Sequence, residues 1–118
     1  MMINFNSQVC TTHEQSERLL ALGLKKETAD CFLEYVGRDN YGSNVWHPSI
    51  IVNNYRMPDY SRDFPAWSLD RLISMINDSD VSEDYKVEFY TKLNRYDEAI
   101  ALIQSLIHIG QFNKEYLT

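Results

Sequence analysis

Glycine is scarce in this 118-residue chain, four residues in all, and none sits in a G-x-G-x-x-G or G-K-[ST] arrangement. A phosphate-cradling loop needs glycines in such runs, so nucleotide binding of that kind is excluded. Basic surplus is missing as well. The net charge is −6 and the acidic excess is spread evenly along the sequence, with Lys25-Lys26 followed at once by Glu27. Without a Lys/Arg stripe to release counterions, direct nucleic-acid binding is not expected, and anionic lipid surfaces are repelled for the same reason. Long apolar runs are absent too. The best candidate, "AIALIQSLIHIG", is interrupted by Gln104, Ser105 and His108 and is too short to span a bilayer. The opening "MMINFNSQVC" has neither a cationic start nor an apolar stretch of signal-peptide length. The only two cysteines, Cys10 and Cys31, are far from C-x-x-C spacing. These readings predict a cytoplasmic protein with both thiols free and no membrane association.

What is present is enough for a folded core. An apolar fraction of 44% argues against global disorder, and 118 residues fit one domain, expected to run over 1–118. Thr12 followed by Gln15 makes a capping box, and Gly23 offers a left-handed stop, which predicts a helix over 13–22. "LKKETADCFLEYVG" carries Ala29, Phe32, Leu33 and Val36 at helical steps and Gly37 at its end, which predicts a second helix packed on the first as an αα-hairpin. Residues 38–63 read as loop, with one edge strand over Ile50–Tyr55, since Pro48 lacks an amide hydrogen. Ser68 caps a third helix whose apolar face is Leu69, Leu72, Ile73 and Ile76, with Trp67 positioned to staple its start against Leu72. "YKVEFYTKL" alternates as a half-buried strand. A last helix carries Ala99, Ile100, Ile103, Leu106 and Ile107, capped by Asn94 or Asp97 and stopped at Gly110. The tail "QFNKEYLT" can either dock through Phe112, Tyr116 and Leu117 or fray. The expected fold is therefore α+β: three to four helices packed with a small sheet of two or three strands around one apolar centre.

Three blocks, "TTHEQSERLLALGLKKETAD", "PAWSLDRLISMI" and "YDEAIALIQSLI", occur in this order. Their succession resembles a family of small uncharacterised proteins encoded by prophages and conjugative elements of gut anaerobic bacteria. The resemblance implies a mobile-element setting and a shared fold, and it carries no chemistry. It covers about half the chain as motif, and residues 39–63 and 77–95 depart from it.

Reactive side chains do not converge in the sequence. His13, His47 and His108 with Cys10 and Cys31 are types that hold zinc, but no pair has ligand spacing. Cys31 lies beside Phe32 and Leu33, surroundings that suit a buried small hydrophobe better than a nucleophile. Glu83-Asp84 and Asp97-Glu98 are adjacent pairs, which point apart on a helix. No cofactor, no metal and no catalytic residue is therefore assigned. The richest contact candidate is "NNYRMPDYSRDFPAW", which gathers Tyr55, Arg56, Tyr60, Arg62 and Trp67, the residue types that dominate protein interfaces. The plainer reading is a long loop whose aromatics fold back onto the helices, and a small-ligand cleft is a further alternative. The leading expectation is a non-enzymatic domain that docks to a protein partner or to itself. The alternatives are an acidic decoy of nucleic-acid-binding proteins and an enzyme with an unrecognised site.

Overall fold

A computed structural model describes residues 8–51, 58–60, 62–79 and 95–118. Its first helix, α1, runs over His13–Ala21 and starts with the reciprocal cap expected from the sequence. The Gln15 N–H donates to Thr12 Oγ1 at 3.2 Å, and the Thr12 N–H donates to Gln15 Oε1 at 3.0 Å. Two amides that helix geometry leaves without partners are thereby satisfied. Gly23 then turns the chain at φ 104°, a conformation that a Cβ would oppose.

The segment expected to form a second helix instead makes a single 3₁₀ turn, Lys26–Thr28, and then strand β1, Cys31–Arg38. No αα-hairpin forms there. β1 pairs antiparallel with β2, Asn44–Ile50, on one side and with β3, Phe64–Ala66, on the other, in the order β2-β1-β3. Spacing of Ala29, Phe32, Leu33 and Val36 fits a helix, but Cys31, Leu33 and Tyr35 also alternate at a strand's period of two. Partners on both flanks settle the ambiguity in favour of the strand, and Val36 ends up exposed. Gly37 does not end a helix. It sits at φ 135° where the β1–β2 register slips between Tyr35 and Gly37, so it accommodates a bulge.

β2 begins earlier than the expected strand and carries Pro48 within it, opposite Leu33. Proline is tolerated because β2 is an edge strand of this sheet among the described residues. The remainder of the expected Ile50–Tyr55 strand, the expected strand in "YKVEFYTKL" and the Asn94 cap lie outside the described residues. β3 falls in text that reads as loop, and its three residues include Pro65 opposite Phe32.

Helix α2 covers Leu69–Asn77 with Ser68 as its N-cap, Ser68 Oγ accepting from the Arg71 N–H at 3.1 Å. Helix α3 covers Arg95–His108, so Asp97 stands in its first turn rather than at its cap. Three α-helices and a three-stranded antiparallel sheet thus make an α+β fold among the described residues.

Among the described residues the apolar interior falls into two clusters rather than one. The larger joins Leu19 and Leu24 to Trp67, to Leu72, Met75 and Ile76 of α2, and to the apolar stripe of α3 and Phe112. The smaller holds Cys10, Cys31, Leu33 and Ala66, with Trp46 and Phe64 against it. Ala66 and Trp67 are neighbours in the chain yet belong to different clusters, because successive side chains leaving a strand point to opposite sides. Of the two outcomes open to the tail, docking is the one that occurs. Phe112 is buried, and Leu24 bridges to Leu117, while the Lys25 N–H donates to the Tyr116 carbonyl at 2.8 Å.

Candidate functional site

The residue that heads the expected contact surface, Trp67, is fully buried at 0% exposure. Its backbone N–H donates to Thr11 Oγ1 at 3.0 Å, its carbonyl accepts from the Thr11 N–H at 2.8 Å, and its indole N–H donates to Thr28 Oγ1 at 2.9 Å. Every polar atom of Trp67 is used internally and its ring fills the helical core, so it offers no surface to a partner. Its other expected role, closing the start of α2, is the one its position fits: it precedes the Ser68 cap and shares a cluster with Leu72.

The other contact candidates divide. Tyr55 and Arg56 lie outside the described residues. Tyr60 is half-buried beneath Lys26, whose Nζ stands 5.6 Å from the ring centre, and burial, with Glu27 and Asp63 adding to it, pushes its hydroxyl pKa up. Arg62 is exposed, its Nε 3.9 Å from Asp59 Oδ2, and it lines a cleft of about 350 Å³ together with Glu34, Tyr35 and Asp63.

Beside that cleft the sheet builds a surface that the residue patterns alone do not reveal. Antiparallel register sets Tyr35 opposite Trp46 and Leu33 opposite Phe64, so these side chains share one face of the sheet. The first turn of α1 lays His13 over the same face. The His13 and Trp46 rings stack with centroids 4.6 Å apart and planes at 12°. Phe64 lies 4.3 Å from His13, and Tyr35 meets Trp46 edge-on at 5.2 Å. Glu17, one turn further along α1, holds His13 Nδ1 at 2.8 Å and so fixes the imidazole plane. Tyr35 remains 46% exposed and Trp46 half-exposed, which leaves an ordered aromatic platform partly in water. Rings held in edge-on and stacked pairs lose little freedom when a partner covers them. The signal for this platform is the alternation of Leu33 and Tyr35, legible only once residues 31–38 are taken as a strand.

Histidines and cysteines do not assemble as zinc ligands. His13 belongs to the platform, and His108 is exposed at the end of α3. His47 pairs with Glu34, whereas Cys31 pairs with Ile50. Cys31 and His47 therefore occupy opposite faces of the sheet, and no group of three or more potential metal ligands occurs among the described residues. No helix among the described residues is long and apolar enough to cross a membrane. No protein-family model, curated protein or solved structure matches the chain.

Proposed function

We propose that this chain is a non-enzymatic docking domain of a bacterial mobile element, and that it binds another protein through the aromatic platform of His13, Tyr35, Trp46 and Phe64. The single observation that carries the reading is the preorganised, half-exposed ring cluster, which spends aromatic residues at a surface where folding alone does not bury them. The mobile-element setting rests on the resemblance of the three sequence blocks, and a cytoplasmic location accompanies it.

The partner segment that suits this surface brings a cationic side chain beside an apolar one. Tyr35 and Trp46 offer ring faces and edges to a guanidinium or ammonium group. The net charge of −6 draws such a segment in from a distance.

Affinity capture from cells carrying the parent element, run with the wild-type chain and with Tyr35→Ala/Trp46→Ala, tests the reading. The expected result is a specific protein retained by the wild type, lost with the double variant, and bound more weakly as salt rises. Equal retention by both chains refutes the platform. Concentration-dependent self-association that disappears with the double variant assigns the same surface to a second copy and refutes the cationic partner segment.

A further inference from the structure

Cys10 and Cys31 are distant in sequence and stand on different elements, yet the fold packs both into one buried cluster with Leu33 and Ala66. The arrangement is specified from both sides of the segment Ala66-Trp67. Cys31 pairs with Ala66 across the sheet, and Cys10 directly precedes Thr11, which exchanges hydrogen bonds with Trp67 at 2.8 and 3.0 Å. Both cysteines are free, buried thiols of the same cluster. Neither thiol contributes to the aromatic platform, and a pair of small apolar residues would fill the same space. We propose that Cys10 and Cys31 are a latent dithiol that hydrogen peroxide, or an organic hydroperoxide, converts into an intrachain disulfide tying the segment before α1 to the first strand of the sheet.

The pair is chemically unequal. The neighbouring Cys31 thiol holds the Cys10 thiol below its usual pKa, while Cys10, burial and the nearby Asp30 carboxylate push Cys31 up. Cys10 also adjoins the exposed Gln8 and Val9, and it is the sulfur that reacts first. Its thiolate attacks one peroxide oxygen, the O–O bond breaks, and the departing hydroxide takes a proton to leave as water, with Cys10 as the sulfenic acid. The Cys31 sulfur then attacks the Cys10 sulfur, the S–O bond breaks, and the hydroxyl leaves as a second water with the Cys31 proton. Two thiols lose two electrons and two hydrogens, and one peroxide becomes two waters.

Access comes from the N-terminal side. Cys10 and Cys31 are 3% and 1% exposed, but Gln8 and Val9 beside Cys10 are exposed. Anchors of this segment include the bond from Tyr96 Oη to the Gln8 carbonyl at 3.1 Å and that from Gln8 Nε2 to Gln15 Oε1 at 2.7 Å. Local detachment of residues 8–10 opens the smaller cluster at Cys10 to a molecule as small as peroxide, while the larger cluster stays closed. Once formed, the bond encloses all of α1 in a covalent loop, which restricts the unfolded chain and raises the thermal midpoint.

The test treats the reduced, folded full chain with hydrogen peroxide at neutral pH and follows it by intact mass and non-reducing peptide mapping. The expected product has lost two hydrogens, carries one cross-link between the peptides of Cys10 and Cys31, melts higher than the reduced chain, and returns to it with dithiothreitol. A Cys31→Ser chain should stop at a sulfenic acid on Cys10 that dimedone traps. Three results overturn the proposal: oxygen added to either wild-type cysteine without the cross-link, cross-links only between chains, or native thiols that survive peroxide that consumes both in denaturant.

Discussion

Replacing Trp67 by alanine removes the side chain on which the helical core closes. The indole is at 0% exposure, among the largest fully buried side chains, and belongs to the cluster shared by Leu19, Leu72, Met75 and Ile103. Loss of a fully buried large aromatic destabilises by about 3–5 kcal/mol, as transfer and cavity terms combined. The hydrogen bond adds little to that figure. Thr28 Oγ1 loses the indole N–H as a donor, but its own hydroxyl still donates to the Lys25 carbonyl at 2.6 Å, so no buried hydroxyl is left without a partner. Backbone bonds of residue 67 to Thr11 survive the substitution. A loss of about 4 kcal/mol is a large share of the roughly 5–15 kcal/mol that holds a domain together, and it lowers the melting temperature by roughly 10–20 °C at this chain length. Urea denaturation followed by far-ultraviolet circular dichroism measures it. Trp67→Phe separates the contributions, because it keeps most of the ring volume and should lose no more than about 2 kcal/mol. An unchanged midpoint in the alanine variant would refute the closing role and, with it, the attachment of α2 to the core through this ring.

Ser68→Ala should lose about 1 kcal/mol through the helix cap and somewhat more through Asp30, whose carboxylate accepts from the Ser68 N–H at 2.8 Å and from Ser68 Oγ at 2.5 Å; the readout is the shift in urea midpoint, and no shift would mean the cap is idle. Alkali should destabilise the fold through Tyr96, whose hydroxyl pKa burial raises from 10.0 to about 12. Its contribution is complete below about pH 10, where the unfolded tyrosine is still protonated, and disappears as pH climbs through the folded value, so Tyr96→Phe should flatten the fall in melting temperature over that window. At the acidic end, Asp78 is held below its ordinary value of 3.8 by hydrogen bonds from Tyr116 Oη and Asn113 Nδ2, so its contribution is present above that value and lost as pH falls through the depressed one; Tyr116→Phe should weaken that acid sensitivity in a pH–stability profile.

Local chemistry makes much of the helical half legible. Thr12 with Gln15, Ser68 with its apolar run, and the stripe from Ala99 to Ile107 each specify a helix from residues within two turns of one another, and each helix forms where those residues stand. Residues 24–37 mislead because their apolar positions satisfy two periods at once. The segment carries β-branched and aromatic residues but no local cap strong enough to choose between them. The Tyr35–Trp46 pair and the His13 stack stay hidden for that reason. Cysteine spacing is no guide either, since Cys10 meets Cys31 across Ala66 and not along the chain.

By itself the sequence determined that the chain has helices with firm ends, an acidic balance of charge and enough apolar matter for a core, since capping and periodicity act over a few residues. Only the tertiary structure decided that residues 31–38 are a strand, that Trp67 lies inside, that four aromatic rings share a face and that two thiols enter one buried cluster. A strand's conformation is stabilised by neighbours supplied from elsewhere in the chain, and which side chains become surface depends on what those neighbours leave uncovered.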